Sequence, residues 1–181
     1  MTRSWRRRVR RCVTWGVITM LIGGMTFGVR ADEHREVSAS PRVRSTNPAI
    51  VSLLGEAATR SSTFRGLVHT IEQTDGIVYV ESGHCLHGVR ACLSLSITKA
   101  GEYRILRVLV DLAADAIGLM ATIAHELRHA LEILTEPAVR STTAAYLYYA
   151  REAPTTGDAF ETEAAIAAGL AVERELSLRR R

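Results

Sequence analysis

The chain has 181 residues, 47% of them hydrophobic, and a formal net charge of +4. That apolar content supports one domain with its own core and excludes a disordered chain. The positive charge belongs to one end: residues 1–31 hold seven Arg and no acid, which leaves 23 − 7 = 16 basic against 19 acidic residues, a net −3, so charge gives no basis for nucleic-acid binding.

The first 31 residues have the layout of a secretory signal. Arg3, Arg6, Arg7, Arg8, Arg10 and Arg11 precede an apolar run from Cys12 to Val29, and Val29-Arg30-Ala31 resembles a small-x-small cleavage site. Cleavage after Ala31 is the favoured reading. An uncleaved membrane anchor is the rival, because the run reaches about 18 residues, the lower limit for spanning. The protein is therefore expected to be exported, periplasmic or extracellular, with membrane contact only through this segment if it stays attached.

Residues 32–48 carry Ser, Pro, Arg and Asn without periodicity and read as a flexible leader. Asn47-Pro48 is a cap followed by a first-turn proline. Ile50, Leu53, Leu54 and Ala57 then recur at helical spacing, so the folded domain is expected over 49–181. Phe64 to Thr74 either continues the helix or starts a strand. Asp75-Gly76 marks a turn before a strand at Ile77–Glu81, and Leu93–Thr98 alternates strictly, as a half-wet strand does. Lys99–Glu102 turns the chain into a further strand, Tyr103–Asp111. These signals predict an α+β domain with a small, mostly antiparallel sheet.

Between the first two strands stand His84, Cys85, His87 and Cys92. Such a set can bind zinc. After signal removal only Cys85 and Cys92 remain, and in an exported protein a disulfide is the expected use. The two histidines are then loop residues near a cleft.

The segment Leu119–Leu134 carries Leu119, Met120, Ile123, Leu127, Ala130, Leu131 and Leu134 at helical spacing, and Pro137 ends it. Within it lies His125-Glu126-Leu127-Arg128-His129. Residues four apart share a helix face, so His125 and His129 can offer two imidazole nitrogens to one ion. Glu126 can then reach a water without binding the metal, which is the arrangement of a zinc hydrolase. Two incidental histidines on an amphipathic helix are the plain alternative.

Val139–Ala150 reads as a further helix with Tyr146, Tyr148 and Tyr149, packing residues of which one has the chemistry to support a developing oxyanion. A last helix is expected from about Phe160 to Leu178. It would supply the third ligand that two histidines need. Glu161 aligns with the small residues Ala164, Ala165 and Ala168, and Glu163 with Ile166, Ala167 and Leu170. Glu161 is favoured and Glu163 is the alternative; both would otherwise be acids that suit a helix N-terminus.

These motifs, His125-Glu126-x-x-His129 and Glu161-Thr162-Glu163-Ala164-Ala165 downstream, resemble the gluzincin class of zincin metallopeptidases, over residues 91–175. Several families of that class write the second motif as Glu-x-x-Ala-Asp or Glu-x-x-Ala-Asn, and Ala165 departs from it. The resemblance implies a minimal zincin-like domain: a sheet, an active-site helix, a C-terminal ligand helix, and an edge strand, here Ala91–Thr98, that pairs with an extended peptide or protein substrate. It implies Zn2+ on His125, His129 and Glu161, with Glu126 as general base. A non-catalytic binding module of the cell envelope is the alternative function.

Overall fold

A computed structural model describes residues 41–85, 88–113, 115–152, 155–156 and 159–178. Residues 1–31, read as a signal, and most of the stretch 32–48 lie outside the described residues. The elements run β1 (Val43–Arg44), α1 (Pro48–Arg60), α2 (Ser62–Glu72), β2 (Gly76–Ser82), β3 (Ala91–Ala100), β4 (Tyr103–Val110), α3 (Ala116–Thr135), α4 (Thr142–Glu152), β5 (Thr155–Thr156), β6 (Ala159–Phe160) and α5 (Glu163–Leu178). The class is α+β, as expected. Among the described residues no helix is long and apolar enough to cross a membrane.

The four-stranded sheet is mixed, and here the expectation of a mostly antiparallel sheet is corrected. Its order is β1-β2-β4-β3. β4 folds back on β3 through the Lys99–Glu102 turn, where Gly101 takes φ 58°, and it inserts between β3 and β2. β4 is antiparallel to β3 and parallel to β2. The register confirms this, from Gly76 against Arg104 to Ser82 against Val110. β1 adds in parallel, Val43 against Val78, with Val43 buried. Part of the stretch 32–48 read as a flexible leader is thus a strand of the sheet. Two residues are too short to show a strand period, so β1 left no signal in the sequence.

Ser61 divides the first helical stretch. It ends α1 and caps α2, its Oγ accepting from Phe64 N at 3.0 Å. The alternative of a strand at 64–74 is thereby resolved as helix α2.

α3 is the axis of the core. Asp115 caps it, accepting from Gly118 N at 2.9 Å. Met120, Ile123, Ala124, Leu127, Ala130 and Ile133 are fully buried along it. It packs on the sheet, α1, α2 and α5. Gly76 at the start of β2 lets α3 come close: a Cβ there would collide with the Leu134 side chain. At the C-terminal end of α3 the last carbonyls need donors. Arg104, 2% exposed, provides them from β4, donating to Ile133 O, Leu134 O, Glu136 O and Val139 O at 2.7–3.0 Å, with its charge paired to Asp75.

Candidate metal centre

His125 and His129 lie one turn apart on α3, and their Nε2 atoms approach to 3.2 Å. Glu161 Oε2 stands 3.2 Å from His125 Nε2. The three donor atoms lie within 4.8 Å of one another, as ligands of one ion do. Glu163, on the exposed first turn of α5, is not in this group.

The route by which Glu161 arrives differs from the expected one. The last helix starts at Glu163 rather than Phe160, so Glu161 sits in the two-residue link between β6 and α5. The small-residue face that drew attention to it does bring helices together: Ala165 and Ala168 are buried, and a Cβ on Gly169 would meet Ala121 O at 3.3 Å and His125 Cβ at 3.4 Å. The face sets the approach of α5 to α3, while the link carries Glu161.

The donor set fits a divalent metal. Glu161 Oε2 is buried without a hydrogen-bond partner. Two imidazole nitrogens point at each other, an arrangement that an ion between them would satisfy. Burial and the neighbouring His129 push the His125 pKa down, which favours the neutral, ligating imidazole. Two imidazoles and one carboxylate match zinc chemistry.

Glu126 faces the same cleft from α3 and is 7% exposed. Its Oε2 accepts from Leu93 N of β3 at 2.7 Å. Burial pushes its carboxyl up to about 7, against the lowering pull of His129 and of the Leu93 amide.

Glu132, which sequence reasoning passed over, completes the surroundings. It is 8% exposed and one turn beyond His129. His129 Nδ1 lies 3.1 Å from its Oε2, and the Thr162 hydroxyl donates to its Oε1 at 2.8 Å. Burial alone would raise the Glu132 pKa, but these two hydrogen bonds and the nearby charges of His129 and Arg128 bring it below the ordinary value. A carboxylate only accepts, so Nδ1 carries the ring proton and Nε2 keeps its lone pair for the metal. The polar support that Ala165 does not offer thus comes from α3 itself. The signal was a lone acid in the apolar run Ala130-Leu131-Glu132-Ile133-Leu134, three residues after a ligand.

Of the three tyrosines, Tyr149 is buried, and its hydroxyl donates to His129 O at 2.7 Å. Tyr146 is exposed at the cleft rim. Cys85 and Cys92 form the expected disulfide, with Cα atoms 6.0 Å apart, and both line the cleft. His84 is exposed and outside the metal group. His87 lies outside the described residues. The cleft has a volume of about 1010 Å³, and β3 is the sheet edge beside it.

No protein-family model, curated protein or solved structure matches this chain.

Proposed function

We propose that the chain is an exported zinc-dependent metallopeptidase of gluzincin type. One observation carries this reading: His125, His129 and Glu161 converge on one point while Glu126, from the turn between the histidines, faces the same cleft. A bound zinc would supply Lewis acidity toward a water and a carbonyl oxygen. The rest of the chemistry falls to the chain's own groups. Glu126 takes the proton of the attacking water and delivers it to the leaving amine. Its carboxyl, raised to about 7, suits both acceptance and return of a proton near neutral pH. β3 is the sheet edge beside the cleft; its Leu93 and Ile97 amides donate to Glu126 and Thr142, so an extended peptide that pairs along it displaces those bonds.

The walls narrow the substrate. Among the described residues nine large apolar side chains are exposed, and four of them, Val89, Tyr146, Ile166 and Leu170, line this one cleft. Such clustering marks a binding surface rather than scattered exposure. The substrate is therefore a peptide segment with a bulky apolar side chain beside the scissile bond. The disulfide is consistent with an oxidising, extracytoplasmic compartment.

The test is Glu126→Gln, which keeps both histidines and the shape of the side chain. The variant should retain zinc and fold while hydrolysis of an unfolded protein mixture drops by at least about a hundredfold. Wild type and variant equally inert on a broad peptide library, both holding zinc, would overturn the peptidase reading in favour of a zinc-containing binding module.

A further inference from the structure

Glu161 approaches the two histidines without a hydrogen bond of its own on Oε2, and it does so from a link rather than a helix. Something else must fix it. Its two chain neighbours are both gripped. On one side, the Phe160 ring stacks on Tyr149 of α4, with centroids 5.7 Å apart and planes at 17°. On the other, Thr162 donates to Glu132 at 2.8 Å. The same hydroxyl accepts from Ala165 N at 3.1 Å and so caps α5. The two grips meet, because the Tyr149 hydroxyl lies 3.4 Å from Glu132 Oε2 and 2.7 Å from His129 O.

We propose that Glu132 and Thr162 form a clasp that positions Glu161 as a metal ligand, so that one buried carboxylate orients two of the three ligands at once. Glu132 holds the His129 ring through Nδ1 and holds the Glu161 backbone through Thr162. It touches neither metal nor substrate and is a positioning residue. The inference rests on the metallopeptidase reading, since it assigns the clasp to that metal centre. Loss of an outer-shell partner of this kind typically weakens metal binding about 10- to 100-fold. A cap alone would contribute to stability and leave affinity untouched.

Zinc affinity, read by chelator competition on the full chain, separates these roles. Thr162→Val should weaken zinc about 10- to 100-fold, and Thr162→Ser should restore it to near wild type. Glu132→Gln should weaken zinc to a similar degree. In the metal-free protein Glu132→Gln should also shift the ¹⁵N signals of the His129 ring away from the Nδ1-protonated tautomer. In the Thr162→Val background, Glu161→Gln should cost much less affinity than it does alone, since the ligand is already displaced. Thr162→Val and Glu132→Gln with wild-type zinc affinity, even with a lowered Tm, would overturn the clasp and leave the metallopeptidase reading standing. Wild type without zinc would overturn both.

Discussion

Replacing Arg104 with Met keeps a side chain of similar length in the core and removes the guanidinium donors at the end of α3, leaving Glu136 N on Ile133 O and the Thr135 hydroxyl on Leu131 O. Four carbonyls, those of Ile133, Leu134, Glu136 and Val139, lose their bonds to the guanidinium, and Asp75 loses bonds at 2.5–3.0 Å. A net hydrogen bond contributes about 1 kcal/mol and four carbonyls each lose one, while Asp75, partly exposed, keeps Arg140 as its partner at 3.2 Å. Val139 O is buried with Arg104 and does not recover a partner from solvent, whereas Ile133 O keeps Glu136 N. The expected loss is therefore about 4 kcal/mol. For a domain of this size that is about 12 °C in Tm. Urea unfolding followed by far-UV circular dichroism at pH 7 would measure it. Arg104→Lys, with a charge but no planar fork, should fall between. A loss below about 1 kcal/mol for Arg104→Met would refute the claim that this buried cation closes the helix.

Glu175 accepts from the hydroxyls of Ser61, Ser62 and Thr63 and from Thr63 N at the start of α2. Burial alone would raise its pKa, but these bonds hold it down at about 2. The native state thus binds fewer protons than the unfolded state between about 2 and the ordinary value of 4.5. Its contribution is full above pH 4.5 and fades as the pH falls toward 2. Glu175→Gln should be about 1 kcal/mol less stable at pH 7, and the gap should close in acid; a gap that is the same at pH 7 and pH 3 would contradict the assignment. On the cleft wall, Leu170→Glu should leave zinc content unchanged and raise KM for peptides with apolar side chains about tenfold, against little change for polar ones. Equal effects on both would show that Leu170 does not read the substrate.

The parts of this molecule that were legible in the sequence are those set by local geometry. Four-residue spacing on a strongly periodic helix places His125 beside His129, and a separation of seven positions leaves the Cys85 and Cys92 sulfurs within reach of each other. Asn47-Pro48 announces α1 because the cap needs only adjacent residues. What stayed hidden depends on contacts between distant elements. Strand pairing is such a contact, so Tyr103–Asp111 was legible as a strand while its place between β2 and β3 was not. Arg104 falls on the core-facing register of β4 with Leu106, Val108 and Val110, and only the helix end it meets explains why a charge is there. Glu132 likewise reads as an anomaly in an apolar run until Thr162 arrives from thirty residues away. Glu161 was favoured for its small-residue alignment, but it reaches the histidines from outside the helix that was expected to carry it.

The central claim is that His125, His129 and Glu161 bind one zinc, and metal content tests it most directly. Elemental measurement on the purified domain, dialysed against metal-free buffer, should find about one zinc per chain. His125→Ala and Glu161→Gln should lower that content, and Glu163→Gln should leave it unchanged. Wild type with no zinc, or His125→Ala with as much zinc as wild type, would contradict the account.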